Sequence, residues 1–287
     1  EKLFKSPDPQ SQEIRDLSMD SLWRITGASI SANDPSPNKI WYELDGRWFT
    51  HSKHVQPVYR KENKFVPNIP DDGCLGEITV PFVDAHRLMD ENSLIAYRFY
   101  YGSTYWVINW DKDDAGKPWY QLMDDHNYSS FWVPAVAVRL VPDSELLPIS
   151  PEVPWDEKSI DVDLGAQTMT AYEGDKVVFM SRISSGSWAH PTPRGIYHTI
   201  RKRPCRHMVN IEGGYNLPGV PWVSYFTSSG IAFHGAYWHN DYGVRHSHGC
   251  INLPPPTAKW VYLWTTPAVP AEKYFHQDNK GTRVFVH

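Results

Sequence analysis

A mainly β fold with one short helix is predicted, on three observations. The 287 residues include 13 Trp, 16 Tyr and 11 Phe, and aromatic side chains favour strands. The 24 Pro and 18 Gly favour frequent turns over long helices. Short segments alternate apolar and polar residues with the period of a half-buried strand.

The first element of that prediction is an internal repeat. Trp41-Tyr42-Glu43-Leu44 returns as Trp119-Tyr120-Gln121-Leu122, and Phe49 to Val58 can be laid on Trp132 to Val141. Each copy runs through an aromatic strand, a polar turn (Asp45-Gly46; Asp124-Asp125-His126-Asn127) and an alternating strand, as in a meander. Two small β barrels are expected, over residues 1–75 and 76–142. Pro142, Pro148, Pro151 and Pro154 then lose N–H donors and fix φ, which favours an extended connector over 143–157. Beyond it, Ile160, Val162 and Leu164 alternate with Asp161 and Asp163, and Glu173-Gly174-Asp175 turns the chain into Lys176-Val177-Val178-Phe179-Met180. That is a hairpin pattern. Ser184-Ser185-Gly186-Ser187 and Pro191-Thr192-Pro193-Arg194-Gly195 read as loops before a strand at Ile196-Tyr197-His198-Thr199-Ile200. Only the segment from about Pro255 to Thr265 looks helical, with prolines in its first turn and Trp260, Val261 and Trp264 at helical spacing. The third unit is residues 158–287.

Composition closes several function classes. No apolar stretch approaches the roughly 20 residues that cross a bilayer, so no transmembrane segment is expected. The net charge of -5 is unevenly divided: residues 1–155 hold 15 Lys and Arg against 23 Asp and Glu, and residues 156–287 hold 13 against 10. Neither half has the basic excess that neutralises phosphates, so nucleic acid is not an expected partner. The start, Glu1-Lys2-Leu3-Phe4-Lys5, has no apolar signal core and leaves a cytosolic chain or a removed export segment open. Cys74, Cys205 and Cys250 form no Cys-x-x-Cys, and Cys74 and Cys205 read as inert buried thiols.

Chemistry concentrates between Ile231 and Leu253, where four His, one Cys and three Gly share 23 residues. A thiol becomes a useful nucleophile when an imidazole accepts its proton. His234, at the end of an apolar strand, and Cys250, after a Ser-His-Gly turn, are the candidate couple. An acyl-transfer oxyanion needs converging backbone N–H groups, and Gly249 permits the sharp turn that supplies them. The amides of Gly249 and Cys250, with that of His248, are the expected donors.

His234-Gly235 followed by Ser247-His248-Gly249-Cys250-Ile251-Asn252 resembles the signature of L,D-transpeptidase catalytic domains, the YkuD-like family, over about residues 158 to 287. The repeat before it resembles tandem bacterial SH3-like modules. The resemblance implies two small SH3-like barrels followed by a mostly β catalytic domain. It implies Cys250 as nucleophile, His234 as base, the Gly235 carbonyl as the group orienting the imidazole, and Ser247, His248 and Gly249 as the oxyanion turn. Tyr237, Trp238 and Asn252 are expected to contact substrate, ordinary packing being the plainer alternative for the rings. The implied partners are peptidoglycan stem peptides, donor and acceptor, with wall glycan a further partner of the N-terminal modules. The implied location is extracytoplasmic, in the wall or periplasm. No metal and no organic cofactor is implied.

Other readings stand beside this one. Water in place of an acceptor amine would make the chain an L,D-carboxypeptidase or a wall-peptide cysteine hydrolase using the same Cys and His. His239, His246, His248 and Cys250 could bind zinc, although no paired ligand motif supports it. An inactive wall-binding protein is the nonenzymatic alternative. The basic run Arg201-Lys202-Arg203 with Arg206 reads as a solvated loop or as a contact for acidic wall groups.

Overall fold

The computed structural model describes residues 1–287, the side chain of His54 excepted. Its strands form four sheets and one α-helix follows the strand Ile251–Leu253. The first sheet has five strands between Lys2 and His51, and the second has seven between Cys74 and Leu140. Their architecture is mainly β as expected.

The repeated Trp-Tyr motifs occupy equivalent chemical settings. Trp41 and Trp119 are both buried. Their indole N–H groups donate to Asp34 Oδ2 at 2.8 Å and Asp113 Oδ2 at 3.0 Å. Each indole also meets a histidine edge-on, His51 at 5.5 Å and His86 at 6.0 Å between ring centres. A buried indole needs an acceptor for its single donor, so the upstream aspartate is part of the repeat.

The proline series does not make a free spacer. Asp143–Glu145 forms a 3-10 turn, Glu145 pairs with Arg139 at 2.7 Å and with Lys259 at 2.9 Å, and the Ile149 N–H donates to Leu263 O at 3.1 Å. The connector is therefore laid against the helix.

Beyond it, the third sheet contains Lys158–Asp163, Thr168–Glu173, Lys176–Arg182, Gly195–His198 and Arg283–Val286. The fourth contains Arg201–Asn210, Tyr215–Tyr225, Ala232–Gly235, Ile251–Leu253 and His276–Gln277. One core lies between them. Ile160, Val162 and Met169 of the third sheet share it with Trp222, Phe233 and Ile251 of the fourth and with Val261 and Trp264 of the helix. The helix is Pro255–Trp264, with prolines in its first positions. Two lysines cap its far end. Lys202 Nζ, fully buried, donates to the carbonyls of Tyr262 and Thr265 at 2.7 and 2.5 Å, and Lys158 Nζ donates to that of Trp264 at 3.0 Å. Amino donors there answer the unpaired carbonyls of the last turn, and burial pulls the pKa of both lysines down. Lys202 is thus no part of a solvated basic loop. Its neighbours are also committed, Arg206 to Asp125 Oδ2 at 2.5 Å and Arg203 to the same oxygen at 3.6 Å.

That aspartate, Asp125, lies in the turn after the second sheet's strand Pro118–Asp124, so the two halves of the chain meet here. His207 N–H donates to Asp125 Oδ1 at 2.7 Å, and its buried ring sits 2.8 Å from Asp124 Oδ1 and 2.5 Å from Asn216 Oδ1. Burial pulls the His207 pKa down, but the bonds to Asp124 and Asn216 more than reverse it, and the net shift is upward. Beside this pair the Tyr105 ring lies so close to Gly219 that a Cβ there would fall 2.3 Å from Cζ. Gly219 also has φ +68, a conformation open to glycine at little cost.

Candidate active site

The site is built on two short parallel strands of the fourth sheet. Ala232–Gly235 pairs with Ile251–Leu253 so that Phe233 faces Ile251 and His234 faces Asn252. Side chains alternate between faces along a strand. Phe233 and Ile251 point into the core, both fully buried, so His234 and Asn252 share the other face. Cys250 lies in the turn that leads directly into Ile251–Leu253 and packs against a cluster that includes Ala232, which stands two residues before His234 and so on its face. The return of the chain across the loop thus brings the Cys250 turn beside the strand that carries His234.

His234 is 3% exposed, and its Nδ1 lies 3.2 Å from Gly235 O. A ring nitrogen facing a carbonyl must carry the proton, which leaves Nε2 as the basic nitrogen. Cys250 is half-buried, its sulfur 3.9 Å from Gly230 O. Burial pushes its thiol up to about 11, opposed by the Ala232 backbone N–H. Burial likewise pulls His234 down to about 4, opposed by the Gly235 carbonyl. At neutral pH both groups are therefore uncharged. A thiolate therefore forms here only as the thiol proton passes to a neighbouring base, which is the part expected of the neutral imidazole.

Ser247, His248 and Gly249 form a tightly strapped turn. Ser247 Oγ donates to Cys250 O at 2.5 Å and accepts from Gly249 N–H at 3.1 Å. The N–H groups of His246 and Ser247 donate to Ser185 O, and that of Ser187 donates to Ser247 O. Gly249 has φ +115, where a side chain would be strained. Its N–H is taken up inside the turn rather than offered outward, which departs from its expected part as an oxyanion donor. His248 is exposed, its ring stacked on His190 at 4.6 Å and tilted against Tyr215 at 5.1 Å.

The three residues expected at the substrate are placed differently from one another. The half-buried Trp238 ring is 5.8 Å from that of His234. Tyr237 is 7% exposed, donates to Pro218 O at 2.6 Å and stacks on Tyr100 at 6.1 Å, so it anchors the loop from behind. Asn252 is 2% exposed, with its side-chain amide 2.8 Å from His239 Nε2, and it too supports from within. His239 stacks on His246 at 4.3 Å and 3°, and among the described residues no cluster of three His, Cys, Asp or Glu could hold a metal ion.

Thr192 is a residue the sequence reading passed over. It is 2% exposed, and its Oγ1 donates to Gly249 O at 2.8 Å while accepting from Gly186 N–H at 2.9 Å. It ties the Cys-bearing turn to the preceding loop. The signal available was a single hydroxyl between two prolines. Thr192→Val keeps the shape but orphans a buried N–H, which costs about 1–3 kcal/mol. Denaturant unfolding should show that loss, and single-turnover acylation of Cys250 should slow about 10-fold as the turn loosens.

Residues 157–286 match the family model of the YkuD L,D-transpeptidase catalytic domain. The chain is 30% identical over 125 residues to YciB of Bacillus subtilis (strain 168), covering 39% of this chain and 63% of that protein. It is 32% identical over 119 residues to L,D-transpeptidase 1 of Mycobacterium tuberculosis (strain ATCC 25618 / H37Rv), covering 38% of this chain and 47% of that one. Among solved structures, the Enterococcus faecium L,D-transpeptidase C442S mutant is similar over 46% of this chain and 50% of its own, at 28% identity and a TM-score of 0.38. The chain thus spans less than two thirds of either curated relative.

Proposed function

We propose that this chain is a peptidoglycan L,D-transpeptidase. The observation carrying the proposal is the parallel pairing of Ala232–Gly235, which holds His234, with Ile251–Leu253, which Cys250 directly precedes, inside the region matching that catalytic-domain family. The donor is a tetrapeptide stem, attacked at the carbonyl between its third residue, an L centre, and the terminal D-Ala. As the C–S bond forms, the thiol proton passes to His234 Nε2 and the carbonyl oxygen takes up the negative charge. The amides of His248 and Cys250 are the donors for that oxyanion, since Gly249 spends its own within the turn. The C–N bond then breaks and D-Ala leaves with the proton from the imidazolium. An acceptor amine attacks the thioester, yields its proton to His234, and the C–S bond breaks to restore the thiol. The product is a 3-3 cross-link. Water as acceptor would give an L,D-carboxypeptidase by the same steps.

Trp238, packed on the same small cluster as Cys250, and the exposed His248 ring, two residues before the thiol, are better suited to meet an acyl chain than the inward-bonded Tyr237 or Asn252. The two N-terminal sheets are read as SH3-like modules over residues 1–75 and 76–142, followed by the connector 143–157. The repeated indole–aspartate bonds support their common plan. Wall glycan is their proposed partner and an extracytoplasmic wall their place of work. No helix among the described residues is long and apolar enough to cross a membrane.

The test is incubation of the chain with a tetrapeptide donor and an amine acceptor, read by mass spectrometry. Loss of D-Ala with gain of the acceptor is expected. Loss of D-Ala alone would make the chain a hydrolase, and an unchanged donor would refute the proposal.

A further inference from the structure

We infer that the first β sheet is a positioning element of the active site, acting by gripping the loop between His234 and Cys250. The inference rests on the functional reading above but concerns residues outside the matched family region.

The loop from Ala236 to Asp241 carries Trp238, whose ring faces His234, and His239, which hydrogen-bonds Asn252 two residues beyond Cys250. Its inner side is tied to the catalytic strands. Ala236 N–H donates to Leu253 O at 2.9 Å, Ser184 Oγ donates to Asp241 O at 2.9 Å, and Tyr242 OH donates to Ala236 O and Leu253 O at 3.0 and 3.1 Å. Its outer side is held by residues of the first sheet and of the segment just after it. Gln56 Nε2 donates to His239 O at 2.6 Å and to Ala236 O at 3.4 Å. Asn240 N–H donates to Lys53 O at 3.0 Å, and Asn240 Nδ2 donates to Tyr42 OH at 3.0 Å and Val55 O at 3.4 Å. Asn38, 2% exposed, donates from Nδ2 to Asp241 Oδ1 at 3.1 Å and to Asn240 O at 3.3 Å, and the same atom lies 3.1 Å from Ser52 Oγ.

These bonds address the peptide groups and polar side chains of the residues adjoining Trp238, not a remote face of the catalytic half. A loop with backbone partners on both sides has its peptide planes fixed, and with them the direction in which Trp238 and His239 project. A reactive geometry displaced by about 1 Å can cost about 100-fold in rate. Asn38 and Gln56 are therefore positioning residues, acting through His239 and Trp238 on Asn252 and His234.

Two readouts on the full chain separate positioning from mere adhesion. Gln56→Ala and Asn38→Ala, singly and together, are compared with wild type for D-Ala release and for alkylation of Cys250 by iodoacetamide, located by peptide mapping. A loosened loop should uncover the thiol, so alkylation at pH 7 should quicken several-fold while kcat for D-Ala release falls about 10-fold with KM nearly constant. The half-buried Gln56 makes its single variant the one least able to disturb folding, and thermal unfolding midpoints are read alongside. A lowered midpoint with wild-type alkylation and kcat in folded protein would overturn the inference. Wild-type protein that releases no D-Ala would overturn the functional reading instead, while a changed alkylation rate in the variants would still support the grip on the loop.

Discussion

Cys250→Ala is expected to abolish acyl transfer, with a rate loss on the order of 10⁴-fold or more, while the chain stays folded. Cys250 is the proposed nucleophile, and neither other thiol is placed to substitute for it. Cys205 is 5% exposed and its thiol is driven well up by burial. Cys74 lies in the second sheet, pushed up to about 11 by burial and, second, by Asp143. Cys250 packs at the edge of a small cluster of Val220, Val223, Tyr225 and Ala232, and trimming one sulfur there costs about 1 kcal/mol. Intact-mass spectra after donor treatment should therefore show one acyl group on wild type and none on the variant, with unfolding curves nearly superimposed. An acylated variant would remove Cys250 from the role of nucleophile.

His234→Gln is expected to lower kcat/KM by about 100-fold to 10,000-fold and, more tellingly, to change the shape of its pH dependence. With His234 at about 4 and the Cys250 thiol at about 11, the wild-type couple is in its working form, neutral imidazole and neutral thiol, from about pH 5 to 10. Activity should hold a plateau there and fall on the acid side as the imidazole takes a proton near 4. Glutamine fills similar space but cannot take the thiol proton. The variant's residual rate should have no acid limb and should climb with hydroxide toward the thiol pKa. An unmoved acid limb would assign it to another group and leave His234 without a basic role. The stability sign is consistent: an imidazole held below its ordinary pKa loses stabilisation as pH falls from about 6.5 toward 4.

Much of this could be read in the sequence, for local reasons. Cys250 and His234 combine rare reactive types with a glycine turn and an apolar strand, so their approach needs only one loop to close. The helix at Pro255–Trp264 announces itself through first-turn prolines and aromatic spacing. What escaped depends on partners far away in the chain. Asn38 and Gln56 are unremarked polar residues until residues about 200 and 180 positions downstream are set against them. Lys202 looks like surface charge because a basic run carries no mark of the helix end it caps. The sequence foretells a turn at Gly249 but not that its N–H is taken up by Ser247 Oγ.

The seat of Tyr105 against Gly219, with His207 closing on Asp124, has a bearing on how such a protein can be rebuilt. A front half borrowed from a cousin would have to bring its own ring to that hollow and its own acid to that imidazole, or the chimera would gape at the seam. Inheritance should thus have kept the two halves together as matched castings rather than as interchangeable beads.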